Sequence, residues 1–265
     1  MSRVIAKKVT EIFRMPASVD QSRVMMYNRK ADAWHPIQMK AVIRMDLFDL
    51  IGPVMIGPSS SHTAGAARIG LTARMLLGED VVSADIGFHG SFAKTYRGHG
   101  TDRAIVGGLM GMQVDDPRLR SSLELAAETG MALQFTPLNI RGAHPNTVRL
   151  NVIGVTGRQL TMEAASVGGG NIEVHRLDGL NVTFTGKENT LIIHHKDTPG
   201  EIAAVTGVLA RGRINIGNMS VYRRGAGADA MMVLELDGLL DEDMLAEVRA
   251  VEGIQSAIFL RRRAC

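Results

Sequence analysis

The chain has 265 residues, enough for one large or two ordinary domains, and 45% are hydrophobic against 22% charged, which excludes a disordered polypeptide. A net charge of +3, one Trp and three Tyr argue against nucleic-acid binding, whether by charge or by base stacking. The single cysteine, Cys265, forbids an internal disulfide, fits a reducing, cytoplasmic setting, and is too little for the chain to hold an iron–sulfur cluster by itself.

Residues 1–44 are a Met-rich, Arg/Lys-containing mixture without clear periodicity and without the apolar core of a secretory signal. They read as an unstructured extension, with Met45 as the natural beginning of the folded part. No apolar run reaches the length of a membrane span. From Phe48 to about Ile69 the pattern is loop-like, broken by Gly52-Pro53 and Gly57-Pro58. Helical spacing predicts an amphipathic helix over 64–77, closed by Gly78. A strand is expected over 81–87 and a polar, glycine-rich segment from Phe88. A helix over 101–112 carries Gly107, Gly108 and Gly111, which implies close packing there. A further helix is predicted at 121–128. Strands follow at 133–136, 147–155, 158–165, 172–177 and 181–185, with Gly168-Gly169-Gly170 as a flexible corner.

After Gly186 the pattern is strand 191–195, helix 201–210, strand 214–222, strand 230–236, helix 241–251 and strand 254–260. This β-α-β-β-α-β order predicts a four-stranded antiparallel sheet with two helices on one face. The fold class is therefore α+β, with an N-terminal mixed α/β domain over 45–186 and a ferredoxin-like domain over 190–262.

Two polar clusters carry chemistry. The first reads Gly57-Pro58-Ser59-Ser60-Ser61-His62-Thr63, placing hydroxyls and free N–H groups at a helix start, where an anion such as a carboxylate is favoured. His62 adds a group that moves protons near neutral pH; a serine-rich N-cap with an exposed histidine is the plainer alternative. The second cluster ends Gly98-His99-Gly100-Thr101-Asp102, a histidine in a glycine-flanked turn before a helix. His99 is a candidate site residue, whereas for Thr101 and Asp102 the plainer expectation is that one or the other caps the helix. His194 and His195 are adjacent on a strand and point to opposite faces, and no His/Cys/Asp/Glu grouping has zinc spacing. No Gly-x-Ser-x-Gly elbow or dinucleotide fingerprint is present. The turn Asp197-Thr198-Pro199-Gly200 precedes a helix, and with Asn215 it offers a second carboxylate-holding place, or an ordinary β-to-α turn.

The motifs from Gly57 to Gly70, from Gly90 to Asp102 and from Val167 to Glu173 resemble the beta chain of bacterial iron–sulfur L-serine dehydratases. The stretch from Asp197 to Ser220 is similar to the ACT domain that closes such chains. That resemblance implies an enzyme converting L-serine to pyruvate and ammonia without pyridoxal phosphate. It implies a cysteine-rich alpha chain as partner, holding a [4Fe–4S] cluster, with this chain inactive alone, ligating no metal, and dimerising through the ACT domain. It further implies His62 as the proton-transfer group, with Ser59, Ser60, Ser61 and Thr63 binding the substrate carboxylate or orienting the ring. His99 would be a second acid/base, Asp102 a group that fixes a tautomer or caps a helix, and Asp197, Gly200 and Asn215 an effector site. A tail thiolate from Cys265 is not required by the family. The alternative reading is a non-catalytic amino-acid sensor related to the regulatory domains of phosphoglycerate dehydrogenase.

Overall fold

The computed structural model describes residues 55–262, together with the backbone of two earlier strands. The chain divides into two compact units, 1–46 and 47–265. In the first, β1 (Val24–Asn28) and β2 (Ala33–Ile37) pair antiparallel, with Val24 opposite Ile37. This hairpin lies inside the segment expected to lack structure. The remainder of that segment, and Cys265, fall outside the described residues.

The second unit begins with a six-stranded sheet of order β4-β3-β5-β6-β7-β8. Its strands are β3 (Val81–His89), β4 (Ala132–Leu138), β5 (Thr147–Gly154), β6 (Gln159–Gly168), β7 (Asn171–Leu177) and β8 (Leu180–Phe184). Only β3 and β4 are parallel, and they are joined by a long helical crossover, as a parallel pair requires. Alternate residues such as Ile86, Phe88, Val148, Leu150, Met162 and Val174 are fully buried, in keeping with the two-residue period of a strand. Gly168, Gly169 and Gly170 turn β6 into β7 with φ of 103°, 57° and 75°, a run that only glycine adopts readily.

Helix α1 (Ala66–Leu77) carries the expected apolar face and ends at Gly78, φ 79°. It continues a preceding turn of π-helix, Ser60–Gly65, so winding starts before the expected loop has ended. Within the segment expected to be polar and glycine-rich, Gly90–His99 forms helix α2, followed directly by α3 (Thr101–Leu109). Periodicity missed α2 because Phe92 alone of its residues is fully buried. Helix α3 stops short of Met112, since Gly111 turns to φ 88°.

Close approach explains the glycines of α1 and α3. A Cβ on Gly70 would run into the Ile105 carbonyl, and one on Gly108 into the Ala67 carbonyl. One on Gly107 would meet the Leu119 side chain. A 3-10 turn (Pro117–Ser121) and helix α4 (Ser122–Glu128) complete the crossover.

The C-terminal part is β9 (Asn189–Lys196), α5 (Glu201–Arg211), β10 (Ile216–Arg223), β11 (Asp229–Leu236), α6 (Glu242–Arg249) and β12 (Ile254–Leu260). The strands form an antiparallel sheet of order β10-β11-β9-β12, as the element order predicts. Leu191, Ile193, Met232 and Leu234 pack under α5 and α6. Their neighbours Ile192, Met231, Val233 and Leu260 join the core of the first sheet instead. The sheet is thus buried on both faces, and the Tyr222 hydroxyl fastens it by accepting from the Thr183 N–H at 3.1 Å.

Candidate functional site

The turn Ser60–Gly65 builds the site. Ser59, at its N-cap with φ −144°, accepts the His62 N–H through Oγ at 3.1 Å, and its carbonyl accepts the Thr63 N–H. This is the cap expected from the hydroxyl run. The same turn leaves the first N–H groups, those of Ser60 and Ser61, without intrahelical acceptors. Thr63 is buried, and its hydroxyl donates to the His99 carbonyl at 3.3 Å, tying the turn to the end of α2.

His62 is gripped on both ring nitrogens. Its Nδ1 lies 3.0 Å from Ser61 Oγ and 3.5 Å from Ser59 Oγ, while Nε2 lies 3.2 Å from Ser91 Oγ. In the neutral ring one nitrogen donates and the other accepts, so the hydroxyls on the two sides take opposite roles. The edge of the ring packs against Phe92, with centroids 5.2 Å apart, and the His99 ring lies 4.9 Å away. Partial burial, and secondarily a charge on His99, push the His62 pKa below its ordinary value. Near neutral pH His62 is therefore an uncharged base with its orientation set by hydroxyls.

Ser91 carried no assigned role in the sequence reading, although it lies in the quoted second motif. Its position is set by helix α2: its N–H donates to the Pro145 carbonyl at 2.7 Å, and its carbonyl accepts from Thr95 Oγ1. The one available signal was a hydroxyl at a helix start next to the apolar Phe92.

Other candidates fall into place more simply. His99 is the last residue of α2 and is exposed, with Gly100 (φ 67°) turning the chain into α3. The cap position of α3 is Gly100, not Thr101 or Asp102; Asp102 is buried in the first turn, where Oδ1 accepts the Arg103 N–H. Ser60 occupies the first position of the π-turn, partly exposed. His144 closes a turn, its carbonyl accepting from Thr147 and its Nδ1 from the Asn146 N–H. His195 is buried on the helix side of its sheet, and His194 lies on the other face with its pKa lowered by burial.

Asp197, Gly200 and Asn215 are not brought together. Asp197 follows β9 at the end where Lys196 pairs with Asp229, and it binds Arg223 at 2.9 Å. Gly200, φ 103°, starts α5 beside it. Asn215 precedes β10 at the opposite end, where Ile216 pairs with Leu236 and Leu236 with Asn189, and its amide donates to Asp237. The length of β9, at about 3.3 Å per residue, keeps the two groups roughly 20 Å apart within one copy. Among the described residues no group of three or more His, Cys, Asp or Glu could hold a metal ion, and no helix is long and apolar enough to cross a membrane.

A family model for the serine dehydratase beta chain matches residues 45–136, and one for the ACT domain matches residues 189–253. The "Probable L-serine dehydratase, beta chain" of Bacillus subtilis is 42% identical over 208 residues, 78% of this chain and 94% of that protein. The "L-serine dehydratase, beta chain" of Peptoniphilus asaccharolyticus is 33% identical over 214 residues, 80% of this chain and 96% of its own length. A D-3-phosphoglycerate dehydrogenase of Bacillus subtilis is 26% identical over 192 residues, 72% of this chain but 36% of that protein.

Proposed function

Because the chain belongs to the family of L-serine dehydratase beta chains, we propose that it supplies the proton-transfer and carboxylate-binding groups of an enzyme converting L-serine to pyruvate and ammonia. The observation that carries this is the His62 imidazole, held between the hydroxyls of Ser61 and Ser91 with His99 beside it. The neutral ring removes the Cα proton of serine. The turn N–H groups, with Ser60, Ser61 and Thr63, hold the carboxylate, and His99 serves as a second acid or base. Loss of water then gives an enamine that tautomerises to an imine and hydrolyses.

The described residues do not fit an iron–sulfur cluster, for they include no cysteine and no grouping of three or more His, Asp or Glu that could hold a metal ion. In this proposal any [4Fe–4S] cluster is ligated by the cysteine-rich alpha chain, and this chain is inactive without that partner. Asp197 and Gly200 are the proposed effector residues. Asn215 joins them only if the sheet ends of two copies face one another, which makes ACT-mediated dimerisation part of the regulatory proposal.

The test is anaerobic co-expression of the two chains and assay of pyruvate from L-serine. Expected is activity in the complex, none in the isolated chain, and a loss of at least about a hundredfold in His62→Ala with assembly intact. An active isolated chain, or an unaffected variant, would overturn the proposal. The resemblance to phosphoglycerate dehydrogenase favours a second reading, amino-acid sensing without catalysis. It would be upheld by serine binding to the paired chains with no turnover.

A further inference from the structure

Beside His99 lies an open cavity of about 820 Å³ that shares Thr63 and His99 with the site proposed above and extends beyond them. That size suits a small molecule. Arg97, Arg103 and Arg120 all line it, together with His99, and no carboxylate does. They come from three separate elements, the end of α2, the first turn of α3 and the 3-10 turn before α4. None of the three forms an ion pair among the described residues, whereas Arg118, in the same 3-10 turn as Arg120, is paired with Asp116. Arg97 lies over the Tyr96 ring at 5.5 Å.

The backbone adds to the same field. Gly100 lines the cavity and is the N-cap of α3, at φ 67°, with no side chain of its own to cap the helix, while Asp102 Oδ1 accepts the Arg103 N–H. A Cβ built there, or on Gly98, meets nothing within 4 Å, so space is open beside the helix start. The α3 N-terminus thus presents its dipole and its first-turn N–H groups other than that of Arg103 beside three guanidinium groups. All three guanidinium groups are exposed, and their summed charge favours an anion in the cavity between them.

Serine does not match this environment. It carries one carboxylate and one ammonium, and so brings no net negative charge to three guanidinium groups. We propose that the cavity is a binding site for a small polyanion with at least two negative charges, a phosphorylated compound or a polycarboxylate. Planar guanidinium forks suit both groups. Because His99 forms part of the wall and its ring lies 4.9 Å from that of His62, an occupant reports to the His62 centre by position and by charge.

The site is tested by calorimetric titration of the purified full-length chain in about 0.1 M salt, which screens diffuse attraction. Pyrophosphate and citrate serve as probes, L-serine as the comparison. Expected is saturable binding of one molecule per chain for at least one probe. Arg103→Ala and Arg120→Ala should each weaken it at least tenfold, while Arg211→Ala, an exposed arginine paired with Glu247, leaves it unchanged. Amide resonances of Gly98 and Gly100 should shift on titration. A phosphate-selective site answers to pyrophosphate and a carboxylate-selective one to citrate. Absence of saturable binding, equal affinity in the Arg103 and Arg120 variants, or an equal loss in Arg211→Ala would overturn the proposal. His62→Ala should bind the probes normally, so this result stands apart from the dehydratase reading.

Discussion

His62 owes its character to five neighbours: Ser59, Ser61, Ser91, Phe92 and His99. The Ser91 contact is about one neutral hydrogen bond, roughly 1 kcal/mol. If it is stronger when the ring carries the transferred proton, Ser91→Ala should lower kcat about five- to tenfold with KM little changed, and Ser91→Thr should restore most of it. Equal kcat in the alanine variant would remove Ser91 from the positioning of the ring. The lowered His62 pKa also fixes a sign. The folded chain binds fewer protons at His62 than the unfolded chain does, so this contribution to stability is fully present above the ordinary value of 6.5 and is lost as pH falls through the folded value. For catalysis the same shift moves the protonation of His62 to a pH below 6.5. The acid limb of kcat/KM should therefore lie below that pH and vanish with His62→Ala activity; a limb above it would assign the limb to another group.

At the scale of elements, the contact of α1 with α3 shows why glycine occupies helical positions. At Gly70 and Gly108 an added methyl meets a backbone carbonyl, which cannot turn aside. At Gly107 it meets the end of the Leu119 side chain. Gly70→Ala and Gly108→Ala should each destabilise by about 2–3 kcal/mol in urea unfolding, and Gly107→Ala by less than about 1 kcal/mol. Equal effects at all three would show that the helices slide apart freely. The glycines were visible in the sequence as a reason to expect close packing, but their partners were not. Helix α2 escaped sequence reading altogether. It buries only Phe92 fully and is otherwise polar, so no apolar stripe announces it.

For the second unit, the C-terminal sheet matters on both faces. Met231 and Val233 are at most 3% exposed and belong to the core of the first sheet, although they alternate with residues under α5 and α6. The two sheets should therefore melt in one calorimetric transition. Met231→Asp, which buries an unpaired charge at that contact, should lower its midpoint by several degrees. Two separate transitions in the parent chain, or an unshifted midpoint in the variant, would show that the sheets fold independently.

The sequence by itself determined the β-α-β-β-α-β order, the strands of the first sheet and the two histidine motifs, because periodicity, glycine turns and capping hydroxyls are local properties. Tertiary structure decided what those residues touch. It brought Ser91 to His62 across 29 positions, set three arginines from different elements around one cavity, and separated Asn215 from Asp197 by the length of a strand. Contacts of that kind depend on sheet order and helix crossing, which no window along the chain contains.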